Sequence, residues 1–173
     1  MNNIKLVKAS SELLDIIKMY KNEFTSNNET SIYGSSGLHR AANYDEWLEE
    51  VIAKETRSIR GRVLATTYFL YRYEDKKIIG SAQLRHSLTD ELKQHGGHIG
   101  YSISPLERRK GYAKQLLSLV LDEGRKIGLS EILLTCEANN VGSYKTMISC
   151  GGVLLDHNMF DGIEQKRFSI KLD

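Results

Sequence analysis

The chain has 173 residues, of which 40% are hydrophobic and 27% charged, and its formal net charge is +2. That length suits a single domain over residues 1–173 with a sizeable core. The near balance of charge gives no reason to expect a nucleic-acid partner. No apolar run reaches membrane-spanning length, and Met1-Asn2-Asn3-Ile4-Lys5 does not begin a signal peptide, so a cytoplasmic protein with no membrane partner is expected. Cys136 and Cys150 are expected to be reduced, and one proline leaves no stiff linker.

Ile4–Val7 reads as a short strand. Ser10 or Ser11 can cap a helix running to about Phe24, with Leu13, Ile16, Ile17 and Tyr20 at helical spacing. Residues 26–42 are rich in Ser, Asn and Gly and read as a long loop. Loops of that length inside a domain are often functional or mobile. Tyr44–Lys54 reads as a second helix with Trp47, Leu48, Val51 and Ile52 facing inward, and Trp47 is expected in the core. Val63–Tyr73 and Ile78–Leu84 read as a hairpin about the polar turn at residues 74–77. Residues 87–97 form a connector with room for one helical turn. His98–Ile103 follows as a strand, and Pro105 ends it.

Lys114–Ile127 is helical, with Leu116, Leu117, Val120 and Ile127 as its buried stripe and Gly128 as its stop. Glu131–Cys136 is the next strand. Asn139 or Asn140 caps a helix to Ser149. Val153–Asp156 and Gln165–Leu172 are the closing strands, turned at Asp161-Gly162. The sum is an α/β fold: a mixed central sheet of six or seven strands with helices on both faces, and His98–Ile103 and Glu131–Cys136 as parallel central strands.

One stretch carries a recognisable chemistry. Arg108-Arg109-Lys110-Gly111-Tyr112-Ala113 is a basic turn that opens a helix. The first N–H groups of a helix have no internal partner, and the helix dipole adds partial positive charge there. Such a turn suits phosphate or pyrophosphate, with Gly111 allowing close backbone approach and the three cations adding charge. Neither G-x-G-x-x-G nor a Walker phosphate loop is present, which discounts other nucleotide-binding domains.

Arg108-x-x-Gly111-x-Ala113 resembles the Arg/Gln-x-x-Gly-x-Gly/Ala signature of the GNAT superfamily of acyl-CoA-dependent N-acyltransferases. Pro105 upstream, the strand Ile132–Thr135 and the helix opened by Asn140-x-x-Ser143 extend the likeness. The resemblance implies acetyl-CoA as acyl donor, its pyrophosphate at residues Arg108, Arg109, Lys110, Gly111, Tyr112, Ala113 and Lys114. It implies a splay between the two central strands, with the thioester arm along the backbone of Tyr101, Ser102 and Ile103. Asn140 and Ser143 would then serve as helix cap and as contacts to the pantetheine arm. The implied reaction is acetyl transfer to a primary amine of a small molecule or peptide. The alternative is a catalytically silent GNAT-fold module that binds CoA or acyl-CoA as a sensor. A homodimer is open.

Catalytic candidates follow from what amine acylation requires. The amine must be neutral, so a base or water takes its proton, and the leaving thiolate can take one. In the family that last proton often comes from a Tyr seven residues after the capping Asn; here Met147 stands there. Tyr144, nearly one turn earlier, is a substitute donor or a packing residue. His98, at the start of the central strand, is a candidate base or a strand-end histidine. Glu137 is a second candidate base or a solvated carboxylate; some relatives carry a Glu base where Thr135 stands. His95 and His98 lack a third ligand for a metal, so no metal site is expected. Cys136 reads as a structural thiol rather than a nucleophile.

Overall fold

The computed structural model describes residues 3–173. Seven strands and five α-helices follow one another as β1 (Ile4–Lys8), α1 (Leu14–Ser26), α2 (Tyr44–Ala53), β2 (Ala65–Arg72), β3 (Lys77–Arg85), α3 (Asp90–Gln94), β4 (Ile99–Ile103), α4 (Tyr112–Lys126), β5 (Glu131–Glu137), α5 (Val141–Ser149), β6 (Val153–Phe160) and β7 (Ile163–Lys171). The α/β class, the strand count and the helices on both faces are as expected. The closing hairpin turns at Asp161-Gly162, but β6 runs four residues beyond Asp156. No helix among the described residues is long and apolar enough to cross a membrane.

The strands form two sheets rather than one. The first has the order β1-β2-β3-β4 and the second β5-β7-β6, and every ladder is antiparallel. No parallel ladder joins β4 to β5, which corrects the expected central pair. The two strands touch just before β4 begins. There the His98 N–H donates to the Leu133 carbonyl (2.8 Å), the Leu133 N–H donates to His98 Nδ1 (2.9 Å), and Gly97 bridges Leu134. Beyond that seam β4 is the outer strand of its sheet, and a cleft separates it from β5.

Alternation along β2 explains the layers. Tyr68 and Leu70 face one core and Phe69 and Tyr71 the other, because successive side chains of a strand point to opposite faces. The first core gathers Leu116, Leu117, Val120 and Leu121 of α4, Met147 of α5, and Ile132, Leu134, Phe168 and Ile170, so it spans both sheets. The second lies under α1 and α2, where Ile17, Tyr20, Phe24, Trp47, Leu48 and Val51 meet Phe69 and Ile78. Trp47 is core as expected, its indole N–H donating to the carbonyls of Ser35 and Ser36 (3.3 and 3.2 Å). Two expected core residues face solvent instead: Ile52 is 52% exposed and Ile127 44%. Both fall near helix ends, where the apolar stripe has rotated past the sheet.

Residues 27–43 have no long regular element, yet they are pinned. Ile32 and Leu38 are buried, Leu38 opens a single 3₁₀ turn, and Lys21 and Lys54 donate into the segment at Ala41 and Ser36. At its middle the loop lies on β4: a Cβ on Gly34, which has φ +73°, would sit 2.3 Å from the Gly100 carbonyl oxygen. Only glycine allows that approach.

Candidate active site

The turn before α4 is built around a buried carboxylate. Glu107 accepts from Arg72 (3.0 and 3.2 Å), Lys77 (3.0 Å) and Lys110 (3.0 Å). Those bonds, Arg72's first, hold its carboxyl down to about 2. Arg72 also pairs with Asp75 and donates to the Tyr112 hydroxyl (3.0 Å). The Lys110 ammonium is held by Glu107 and the Leu106 carbonyl and does not line the cavity, so what residue 110 leaves open at the turn is its backbone N–H. Arg108 is committed as well: its fork grips Glu29 (2.7 and 2.8 Å) and its Nε donates to the Ile103 carbonyl (3.1 Å). It clamps the 27–43 loop to the end of β4 and still borders the cavity.

What stays open at the turn is backbone. Gly111 sits at the cap of α4 with φ +85°, and a Cβ there would meet nothing within 4 Å. No acceptor among the described residues takes the N–H groups of residues 109–114. Arg109 has no acidic partner within 4 Å among the described residues. Tyr101, Ser102 and Ile103 of β4, Arg108, Arg109 and Gly111 of the turn, Tyr112, Ala113 and Lys114 of α4, and Asn140 and Ser143 of α5 border one cavity of about 610 Å³. The Asn140 side chain also caps α5, accepting from the Ser143 N–H (3.0 Å).

A second cavity of about 490 Å³ adjoins the first, and Tyr33, Tyr101, Asn140 and Ser143 border both. At this junction the Tyr101 hydroxyl donates to Ser143 Oγ (3.3 Å), and burial pushes the phenol up to about 12. Glu137 lines the second cavity, with Cys136, whose thiol burial pushes up. Met147 is 1% exposed and forms part of the wall.

Two catalytic candidates do not reach either cavity. His98 is buried in the seam, with Nδ1 already accepting from Leu133; burial lowers its pKa, and Arg85 lowers it further. Tyr144 packs edge-on against Phe168 (5.8 Å) under the Lys166 ammonium (4.5 Å from the ring centre), the packing role left open above. The histidine in the second cavity is His95, stacked flat on Phe160 at 4.1 Å.

The partners of His95 fix its tautomer. Gln165 Nε2 donates to the Gln94 carbonyl (2.7 Å), so Gln165 Oε1 faces His95 Nδ1 (2.7 Å). A carbonyl oxygen only accepts, so Nδ1 carries the proton and, in the neutral ring, Nε2 carries the free lone pair. Sequence spacing could not separate the two histidines, because Gly96 and Gly97 between them have φ +95° and +61° and turn the chain. Glu29, Tyr33 and Gly34 were likewise missed, since their place depends on a contact across the fold.

The family model described as "Acetyltransferase (GNAT) family" matches residues 27–151, well over half of the chain. An uncharacterized N-acetyltransferase, YnaD of Bacillus subtilis (strain 168), is 32% identical over 59 residues. That match spans 34% of this chain and only 35% of the relative. Among solved structures, the ribosomal L7/L12 alpha-N-protein acetyltransferase RimL in complex with coenzyme A superposes with a TM-score of 0.71 at 13% identity, over 98% of this chain and 94% of that one. The microcin C7 self-immunity acetyltransferase MccE, in complex with acetyl-CoA and AMP, gives 0.70 at 16% identity over 98% and 92%. A chimera of the spermidine N-acetyltransferase SpeG from Vibrio cholerae with hSSAT gives 0.65 at 19% over 97% and 95%. The open turn at Gly111, the cleft beside β4 and the matched residues agree: the chain belongs to the acetyltransferase (GNAT) family.

Proposed function

We propose that this protein transfers an acetyl group from acetyl-CoA to a primary amine, in the cytoplasm. The observation that carries the reading is the uncapped start of α4 beside Gly111, opening onto a cavity that runs along β4 into a second one. Residues 109–114 offer unpaired N–H groups to a pyrophosphate, with Arg109 and Lys114 as cations that have no acidic partner within 4 Å among the described residues. Two of the similar solved structures, MccE and yncA from Salmonella typhimurium, hold acetyl-CoA, which supports the same donor here.

When bound, acetyl-CoA supplies an activated acyl carbon; the N–C bond forms, the C–S bond breaks, the amine gives up a proton and the thiol leaves. The chain's own groups handle the protons. His95 Nε2 is the proton acceptor on the amine side, with Nδ1 steadied by Gln165. Glu137 lines the same cavity and is the second candidate. On the thiolate side, the Tyr101 hydroxyl keeps its proton through neutral pH and stands where the cavities meet. It takes the part of the family's usual Tyr, whose position holds Met147.

The sensor reading has two departures behind it, that same Met147 and Thr135 where some relatives carry a Glu base. Release of free CoA separates the two. Purified protein with acetyl-CoA and an amine panel should release CoA in an amine-dependent manner, and Gly111→Val should abolish both binding and release. Tight acetyl-CoA binding with no turnover on any amine would leave the sensor; absence of binding would sink both.

A further inference from the structure

The second cavity does not end at the acceptor side. It shares Gln83, Arg85 and Leu92 with a pocket of about 320 Å³ that is also lined by Lys54, Arg62 and Glu91. Three cations therefore border a pocket holding one carboxylate. None of the three has a carboxylate oxygen within 4 Å among the described residues. Lys54 is 7% exposed, and among the described residues its ammonium donates only to Ser36 Oγ (2.7 Å). Arg85 donates to the Gly97 carbonyl (2.8 Å), and Arg62 donates from its side chain to nothing among the described residues.

Taking a cation out of water without a counter-ion is costly. Here repulsion adds to the cost for the two partly or fully buried cations, because Arg62, itself exposed, acts on both Arg85 and Lys54. Burial first, then Arg62, lowers the pKa of Arg85; burial lowers that of Lys54, with Glu50 opposing and Arg62, Arg60 and Arg40 adding to it. An oxyanion seated between them would relieve desolvation and repulsion together. Glu137 and Asp161 line the acceptor cavity itself, so the joined space has acidic groups in one part and a cationic pocket adjoining it.

We infer that the acceptor is an amine that also carries an oxyanion, a carboxylate or a phosphate, with the oxyanion held by Arg85, Arg62 and Lys54. This rests on the acetyltransferase reading for the amine end. It excludes a simple polyamine as preferred acceptor, since such a chain would place positive charge against these cations.

Matched acceptors test it. Phosphoethanolamine against ethanolamine probes phosphate; glycylglycine against its C-terminal amide probes carboxylate; spermidine is the cationic control. In wild type, kcat/KM for the oxyanion member of at least one pair should exceed its neutral partner by about 10-fold or more, and exceed spermidine. In Arg85→Gln/Arg62→Gln that ratio should fall toward one, while the KM for acetyl-CoA stays as it was. Preference for spermidine, equal rates within both pairs, or a ratio that survives the double change would overturn the inference and leave acetyl transfer standing.

Calorimetric titration of phosphoethanolamine and glycylglycine into the protein, with and without CoA, reads the pocket independently of turnover. At least one should bind wild type and lose about 10-fold or more in affinity in the double variant. Binding of neither overturns the inference. Arg62→Gln alone, at an exposed position, guards against a folding defect and should show a smaller loss of the same kind. Oxyanion binding with no acetylation of any amine would instead defeat the acetyltransferase reading and keep the pocket.

Discussion

At the residue scale, roles divide between side chains whose polar atoms are already committed and those whose atoms are free. His98 is committed: its ring and backbone both bond to Leu133. His95 keeps one ring nitrogen in reserve. His95→Ala is therefore expected to lower kcat by about 10²-fold with acetyl-CoA affinity unchanged, the usual range for losing a general base. His98→Ala should instead leave a buried N–H unpaired and cost about 1–3 kcal/mol of stability. Steady-state rates and urea melts on both variants check the division; an activity loss confined to His98→Ala would reverse it. Tyr101→Phe should reduce kcat and abolish any rate limb above neutral pH that belongs to the phenol, since its pKa lies about 12. Gly111, Asn140 and Ser143, which the sequence singles out, line the first cavity, and they were legible because a turn motif and a helix cap are local signals. It named His98 rather than His95 because what distinguishes them is where two positive-φ glycines send the chain.

At the element scale, the active-site turn is held by partners from three directions. Glu107 ties β2 through Arg72, β3 through Lys77 and the turn through Lys110. The 27–43 loop is tied to β4 by Arg108–Glu29 and by Gly34 on Gly100. Gly34→Ala adds a Cβ into the Gly100 carbonyl at a left-handed backbone position, so the loop must lift. Because Gly34 lines the acceptor cavity and not the one beside the turn, KM for the amine should rise more than KM for acetyl-CoA. Equal changes in both would show that the loop does not act on the acceptor side. Glu107→Gln leaves three cations around a neutral amide and should cost about 3 kcal/mol, measured by denaturant titration. Helix and strand spans were legible from periodicity to within a few residues. The anchoring of the loop was not: its polar, Gly-rich sequence looks the same whether it is free or seated, and the seat is residues far away in the chain.

At the scale of the whole molecule, two antiparallel sheets share one core and are joined through the connector before β4, by the His98–Leu133 seam with Gly96 and Gly97 and by bonds from residues 93–95 to β6 and β7. Sequence periodicity gives strands, not their edge partners, so the division into four and three strands could not be read from it. The seam makes stability depend on pH with a definite sign. His98 is buried and neutral, and burial, with Arg85 beside it, lowers its folded pKa below the ordinary 6.5, Glu131 acting weakly the other way. As pH falls through about 6.5 the unfolded chain takes up the proton first, so the unfolded state binds more protons and stability declines. The loss continues until pH passes the folded pKa, where Nδ1 is protonated and can no longer accept from the Leu133 N–H. His39 and His86 are lowered by burial too and add to the same window. A separate decline begins lower, between about 4.5 and 2, as the Glu107 carboxyl takes up its proton. Each group can contribute at most about 1.4 kcal/mol per pH unit within its window. Urea melts at pH 7.5, 6.5 and 5.5 should therefore show a falling free energy of unfolding for wild type. His98→Gln, which keeps a carbonyl oxygen able to accept from Leu133, should be less stable at pH 7.5 yet lose less on acidification. A variant whose slope matches wild type would mean that the seam does not sense protons, and that the decline belongs to His39 and His86.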